Sequence, residues 1–264
     1  MHRRTFLGLG GALLAASALG GWTLGRSAGQ APLLLSARND ADGRHYAVGY
    51  RLDGSRQFAT PVAERCHDVV PHPALPLALF VGRRPSRDSY LIDTRDGRLL
   101  QTLASPAQRH FYGHAVFHRG GQWLYSTENA TGEPGRGVIG VWRLDGQRLE
   151  RHGELSRHGV GPHQLLWMPD GETLVVASDG TVVSGQQYEG DPGDAAPLVA
   201  IKRPGQAFQP FPLGEAQRLA MHQYTASVAI HSGLRLLAIT APRGNRVFIW
   251  DLDSAELRLD APLP

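Results

Sequence analysis

The sequence predicts an all-β fold of the β-propeller type, and internal repetition is the main evidence. Short apolar segments rich in β-formers run into a tight Asp or Gly turn four times, starting at Val48, Tyr90, Val141 and Phe248. Their spacing, with one doubled interval, is close to the about 40 to 50 residues of a four-stranded blade. Beyond residue 31 no useful stretch has the 3.6-residue period of a helix. A β-sandwich is the alternative.

A second repeated element is interpreted as the innermost strand of successive blades. It starts at His67, His114, His163 and Ser227, and a turn and a second strand follow it, as over 173–177 or 235–240. About five blades are recognisable in this way.

The repeats falter after the strand over 173–178. Asp179-Gly180 introduces another strand of the same type over 181–187, with no innermost strand between them. Either a deletion has fused two blades or this blade is irregular. The last repeated strand is also not followed by one that would seal the first blade to the last. We therefore expect a ring that is not closed, whose edges expose unpaired backbone groups.

The first 31 residues are typical of a twin-arginine export signal, which leaves 32–264 as the propeller domain. Arg3-Arg4-Thr5-Phe6-Leu7 precedes an uncharged, small and apolar run over 8–24, and Arg26 follows it. An ordinary secretory signal or a membrane anchor is the alternative, but the run is short of the about 20 strongly apolar residues of a span. The pattern predicts a periplasmic protein, exported folded by the twin-arginine translocase, with no transmembrane span in its mature part.

The charge of the chain argues against nucleic acid as a partner. Arg3, Arg4 and Arg26 all lie in the signal, which has no acidic residue, so 27 basic and 24 acidic residues become 24 of each. A neutral mature protein lacks the basic surface that nucleic acid requires. Cys66 is the only cysteine, so the chain can form no internal disulfide.

Three histidines form the candidate metal site. His67, His114 and His163 occupy the same place in consecutive repeats, at the entry to the innermost strand, where they can converge on one mouth of the channel. Three imidazoles on rigid strands would suit copper, iron or zinc, and copper or iron is the expected metal. Alternatively, each histidine hydrogen-bonds the turn of the neighbouring blade. Cys66 should face away from His67 because adjacent residues of a strand alternate.

Other candidates are an acidic loop and several polar and aromatic residues. Glu189, Asp191 and Asp194 offer oxygen ligands for calcium or a cationic partner, or form a solvated loop. Glu128 and Asn129 with Tyr112 could line the histidine mouth or belong to a turn. Four tryptophans are interpreted as core between blades: Trp123, Trp142, Trp167 and Trp250. The sequence motifs of common hydrolases, haem proteins and nucleotide-binding enzymes are missing.

Several longer motifs resemble an uncharacterised bacterial family of twin-arginine-exported propellers, a domain of unknown function. They are Arg109-His110-Phe111-Tyr112-Gly113-His114, Tyr125-Ser126-Thr127-Glu128-Asn129, Gly161-Pro162-His163, Gln187-Tyr188-Glu189-Gly190-Asp191-Pro192 and Thr240-Ala241-Pro242-Arg243-Gly244. The resemblance implies a WD40-like or YVTN-like propeller, usually seven-bladed, encoded beside envelope iron-uptake proteins. The family has further residues between Ser178 and Asp179 and after Pro264.

The resemblance and the missing motifs together favour one function. We expect a non-catalytic periplasmic propeller that binds a partner or a metal, with periplasmic iron-uptake proteins as partners. The alternative is a metal- or quinone-dependent oxidoreductase, or a lactonase-like hydrolase, with its site in the central channel.

Overall fold

The computed structural model describes residues 32–133, 136–156, 161–178, 182–183, 187–188, 198–207 and 209–262. These residues form a row of five blade-like antiparallel sheets and one separate two-stranded sheet, which confirms the predicted propeller-type fold. The first sheet has three strands, in the order β1-β2-β3. They are β1 (Leu33–Asn39), β2 (His45–Arg51) and β3 (Arg56–Val62).

The second and third sheets each have four strands that follow one another along the chain. The second contains β4 (Cys66–Pro71), β5 (Leu77–Gly82), β6 (Asp88–Asp93) and β7 (Leu99–Ala104). The third contains β8 (Arg109–Phe117), β9 (Trp123–Ala130), β10 (Gly137–Asp145) and β11 (Arg148–Ser156). The predicted innermost strands at His67 and His114 correspond to β4 and β8.

The fourth sheet corrects the expected strand over 181–187. Two short strands, β14 (Val182–Val183) and β15 (Gln187–Tyr188), pair with each other as a separate two-stranded sheet. The blade itself is completed by later residues, in the order β12-β13-β16-β17. Its strands are β12 (Pro162–Trp167), β13 (Leu174–Ser178), β16 (Val199–Lys202) and β17 (Gln209–Pro210). The irregular blade therefore has four strands, with an excursion inserted between its second and third.

The fifth sheet follows a short helix. It contains β18 (Val228–His231), β19 (Leu236–Ala241), β20 (Arg246–Asp251) and β21 (Leu257–Pro262). The helix α1 (Glu215–Ala220) lies between β17 and β18. Its six residues are too few to give a readable helical period, so the sequence pattern did not reveal it. No helix in the described part of the chain is long and apolar enough to cross a membrane.

Alternation along the strands builds a core between each pair of neighbouring sheets. In β5, Leu77, Leu79 and Val81 pack toward the third sheet, whereas Ala78 and Phe80 pack toward the first. Successive residues of a strand point to opposite faces, so each inner sheet belongs to two cores. The described sheets do not close into a ring, as the sequence predicted.

Candidate functional site

The three predicted histidines lie together at one end of the inner strands. The ring centroids of His67 and His114 are 4.9 Å apart, and those of His114 and His163 are 5.1 Å apart. The first pair meets edge to face at 79°, and the second is tilted by 38°. One side chain from each of three consecutive blades therefore contributes to a continuous histidine cluster, defined here as His67, His114 and His163.

A β-bulge places each histidine of the cluster. The ladder register shifts between Cys66 and Asp68 in β4, between Phe111 and Ala115 in β8, and between Pro162 and Gln164 in β12. A bulge leaves one residue unpaired and re-aims its side chain. The ladder between β18 and β19 begins only at Val228. A bulge and a histidine thus occur together in three consecutive blades.

Asp68 fixes the tautomer of the central histidine. His114 Nδ1 lies 3.0 Å from Asp68 Oδ2. Because a carboxylate only accepts hydrogen bonds, Nδ1 carries a proton, and in the neutral ring Nε2 is then the nitrogen with the lone pair. His114 Nε2 is buried and has no hydrogen-bond partner among the described residues. A histidine oriented by a carboxylate in this way is typical of metal ligands.

His163 presents a second lone pair. Its Nδ1 is also buried without a hydrogen-bond partner in the described part of the chain. The His163 ring instead forms a hydrogen bond with the backbone of Ala226. Burial, reinforced by His114, Arg84 and His67, lowers the pKa of His163 to about 3. The ring is therefore neutral at physiological pH.

His67 completes the cluster from the solvent side. It is exposed, and no described hydrogen bond holds its ring. Partial burial, His114 and the nearby Arg83 and Arg84 all lower the pKa of His67, against the opposing effect of Asp68. As they stand, no three His, Cys, Asp or Glu side chains of the described residues are arranged to hold one metal ion. Coordination by all three imidazoles therefore requires rotation of a ring, and His67 is the least constrained.

Cations and aromatic rings surround the cluster. The Arg84 guanidinium lies 4.7 Å from the centroid of the Tyr112 ring, and Arg243 lies 4.9 Å from that of Tyr224. The Tyr224 ring is in turn 6.3 Å from His163. Cation–π contacts of this kind hold the two guanidinium groups in place.

Within the cluster His163 has the alternative role, through Ala226 of the next blade, and two histidines outside the cluster share it. His72 Nε2 lies 3.1 Å from the carbonyl oxygen of Gly121, and His118 Nε2 lies 2.9 Å from that of Gly171. These rings come at or just after the end of the inner strands and donate to the turn of the next blade. The sequence carried a signal for them, because a histidine recurs at the end of the repeated element at His72, His118 and His231.

The other candidates divide between buried positions and undescribed ones. Cys66 is buried against Phe80 whereas its neighbour His67 is exposed, as alternation along the strand predicted, and burial raises the pKa of the Cys66 thiol to about 12. Glu128 is fully buried, accepting hydrogen bonds from Arg151 at 2.6 Å and Ser126 at 2.8 Å, so it does not line the mouth. Glu189, Asp191 and Asp194 lie outside the described residues.

The four tryptophans divide between the cores and a cavity. Trp142 and Trp250 are buried in the cores between sheets, as predicted. Trp123 and Trp167 are only partly buried and, with Tyr125, line a cavity of about 460 Å³ between the third and fourth sheets. Periodicity could not separate these two environments, because all four residues lie on or beside apolar strands.

Comparison with solved structures identifies the fold. A hydrazine synthase chain from Kuenenia stuttgartiensis is 14% identical, with a TM-score of 0.59 over 82% of this chain and 64% of that one. A chain of the mitotic checkpoint complex is 13% identical, with a TM-score of 0.58 over 88% and 68%. A protein of unknown function from Bacteroides caccae is 14% identical, with a TM-score of 0.52 over 88% and 73%. This chain thus spans less than two thirds of the hydrazine synthase chain, and the likeness concerns the propeller fold alone.

Sequence comparison identifies the family. No curated protein is significantly similar to the chain. One family model matches it in two pieces, residues 60–180 and 176–264. The pieces meet where the sequence repeats falter, at Ser178 and Asp179. The chain therefore belongs to the family described as "Protein of unknown function (DUF1513)".

Proposed function

We propose that the protein is a non-catalytic binding protein that holds a transition metal ion at the histidine cluster. The supporting observation is the pair of buried, unpaired ring nitrogens, His114 Nε2 and His163 Nδ1, on touching rings. A buried polar atom without a partner is costly, and a metal ion would remove that cost. Neutral imidazole suits copper, iron and zinc.

Each residue of the cluster has a separate task in this proposal. His114 and His163 supply the buried ring nitrogens Nε2 and Nδ1, which have no hydrogen-bond partner among the described residues, and His67 rotates in from the solvent side as a third ligand. Asp68 acts as a positioning residue, since its hydrogen bond to Nδ1 directs Nε2 of His114 away from the carboxylate. Loss of such a partner usually reduces metal affinity about 10- to 100-fold.

The test is a copper(II) titration of the purified full chain after treatment with a chelator. Calorimetry should give one saturable site, and the electron paramagnetic resonance spectrum should show coupling to at least two nitrogens. His114→Ala should weaken copper binding at least about tenfold. Asp68→Asn, which removes the hydrogen-bond partner of a ligand, should reduce the copper affinity about 10- to 100-fold. His118→Ala is the matched control, because its ring binds the Gly171 carbonyl outside the cluster. Equal affinity in His114→Ala and His118→Ala would contradict the proposal.

We further propose that this binding serves iron acquisition in the cell envelope. The support is the twin-arginine pattern of the first 31 residues and the family resemblance carried by the repeated motifs. Cell fractionation should find the protein in the periplasm. A strain carrying His114→Ala should grow more slowly than one carrying His118→Ala when iron is limiting, and equal growth of the two would count against the iron role.

A further inference from the structure

The space between the third and fourth sheets departs from the pattern of the other blades. In the ladder between the first and second strands of a blade, Leu79, Tyr125 and Val175 all belong to the second pair from the turn. Leu79 and Val175 are fully buried in cores between sheets, whereas Tyr125 is only partly buried. Trp123 is partly buried too, although the corresponding Leu77 lies in the core. Aromatic rings beside a cavity therefore replace the buried aliphatic residues found elsewhere.

Four rings line this cavity, which we call the aromatic cavity. Its volume of about 460 Å³ lies within the range of about 300–1,000 Å³ that is usual for ligand pockets. Trp123 and Tyr125 are two residues apart on β9 and so face the same side. Tyr125 meets Trp167 of the next sheet edge to face at 5.1 Å, and Trp123 meets His152 in the same way at 4.8 Å. The three histidines of the cluster do not line this cavity.

A β-bulge brings His152 to the aromatic cavity. The register between β10 and β11 shifts between Val141 and Trp142, which leaves His152 without a partner on β10. The second sheet has a bulge at the same place, and there the unpaired residue is Leu100, which packs against the core. A bulge re-aims the side chain of its extra residue. The same backbone feature thus supports a core in the second sheet and supplies a ring to the cavity in the third.

The charged groups of the aromatic cavity balance one another. They are Glu154, Glu172, Lys202 and Arg203. Glu154 lies 2.9 Å from the guanidinium of Arg136, and Glu172 lies 3.9 Å from that of Arg119. The Lys202 ammonium donates to the Arg203 carbonyl at 2.9 Å. A lining with no net charge and with both carboxylates already paired favours an uncharged ligand.

The remaining hydrogen-bonding groups favour a ligand that accepts hydrogen bonds. The indole N–H of Trp123 and the hydroxyl of Tyr125 have no hydrogen-bond partner in the described part of the chain. The indole can only donate, whereas the Tyr125 hydroxyl and the His152 ring can donate or accept. A proline backbone offers carbonyl oxygens and no N–H. In the polyproline II conformation these carbonyls make no internal hydrogen bonds, so all of them are free to accept. A sugar also presents hydroxyl donors, which need acceptors that the paired carboxylates supply poorly.

We propose that the aromatic cavity binds an uncharged proline-rich segment of another protein in the polyproline II conformation. Such segments dock in aromatic-lined grooves because their conformation is formed before binding. The conformation repeats every three residues, or about 9 Å, so prolines three positions apart present their rings to the same side. One proline packs on the Trp123 and His152 pair and the other on the Tyr125 and Trp167 pair. The Trp123 N–H and the Tyr125 hydroxyl donate to the peptide carbonyls.

The test uses the full chain and a fluorescent nine-residue peptide of L-proline, followed by fluorescence anisotropy. The matched control is the same peptide made of D-proline, which has the same composition and no charge but forms the mirror-image helix. The D-proline peptide should bind at least about tenfold more weakly, because its carbonyls and rings cannot meet the donors and the aromatic pairs together. Equal binding of the two peptides would overturn the proposal.

Two variants of the protein test the lining itself. Trp123→Leu introduces the residue type that the second sheet has at this position, and it should weaken binding of the L-proline peptide at least about tenfold. Tyr125→Phe keeps the ring and removes only the hydroxyl, and it should weaken binding about 2- to 10-fold. Tyr50→Leu is the control, since Tyr50 is a partly buried aromatic residue on β2 that does not line the cavity. Unchanged binding in both Trp123→Leu and Tyr125→Phe would overturn the proposal.

A neutral oligosaccharide is the other ligand that an aromatic lining could accept. Maltohexaose should not displace the L-proline peptide from the chain. Binding of maltohexaose that is lost in Trp123→Leu, without binding of the peptide, would show a sugar site and overturn the proposal. Copper binding at the histidine cluster should be the same in Trp123→Leu and in the unaltered chain, so the two proposals are tested separately.

Discussion

Gly113 should link the stability of the protein to the geometry of the histidine cluster. It lies in the bulge of β8 with φ of +114°, a conformation that residues with a side chain rarely adopt. A Cβ at this position would lie 2.7 Å from Cδ2 of His67 and 3.3 Å from its Cγ. Gly113→Ala must therefore strain the backbone and push the His67 ring away from His114.

The loss of stability in Gly113→Ala follows from the backbone strain and from the displacement of the His67 ring. Backbone strain of this kind costs about 1–3 kcal/mol, and for a domain of this size 1 kcal/mol lowers the Tm by about 2–4 °C. The clash itself adds little, because His67 is exposed and its ring can turn into solvent. Turning out should bring the pKa of His67 back up toward its ordinary value, since burial and His114 are what lower it.

Calorimetric melting and an NMR pH titration of the His67 ring measure both consequences. Gly153→Ala is the control, because its Cβ would have no neighbour within 4 Å and its φ lies outside the left-handed region. It should change the free energy of unfolding by no more than about 0.5 kcal/mol. If Gly113→Ala melts like Gly153→Ala and the pKa of His67 does not rise, the described contact between β8 and His67 is wrong.

Three further outcomes are expected. Arg151→Met should lower the free energy of unfolding in urea by about 3–5 kcal/mol, because it leaves the buried Glu128 carboxylate unpaired; the exposed Arg143→Met should have little effect, and equal losses would contradict this. The lowered pKa of His163 means that the unfolded chain binds its proton first, so stability should fall as pH drops from 6.5 toward 3. His163→Gln should reduce that slope, and an unchanged slope would count against a neutral buried ring. Replacement of Arg3 and Arg4 by lysine should keep the protein in the cytoplasm in fractionation experiments, whereas normal periplasmic delivery would indicate another export route.

The sequence predicted the convergence of the histidines but not the means by which it occurs. Repeat position placed His67, His114 and His163 at the entry to successive inner strands, and neighbouring blades bring equivalent positions together. Strand alternation alone does not predict a bulge. The histidine positions themselves carry no glycine that would have indicated one. The hydrogen bonds of His72 and His118 to the next blade have their own signal in a second repeated histidine position, whereas the first repeat suggests that role for His67, His114 and His163.

The fourth sheet shows where repeat analysis fails for a physical reason. The third strand of a blade normally follows the second after a short turn, and the segment after Asp179 has the composition of such a strand. The ladder that forms instead joins Leu174 to Lys202 and Ala177 to Val199. About 20 residues of chain separate these two pairing strands. The sequence near either strand does not indicate this pairing, because a strand pattern does not specify which strand it pairs with.

The row of sheets also predicts where the molecule opens first. The third sheet packs on both faces, with Leu124 in the core shared with the second sheet and Ile139 in the core shared with the fourth. The first sheet contributes Ala47 and Phe58 to a single core, and no described strand pairs with the second edge of β1. When each unit contacts only its neighbours, stability is roughly a sum of unit and interface terms. A sheet with one described interface and three described strands should therefore open with a smaller free energy than the third sheet. In native-state hydrogen exchange, amides of β2 should exchange at least about tenfold faster than those of β9, and equal protection of the two strands would show that the five sheets unfold as one cooperative unit.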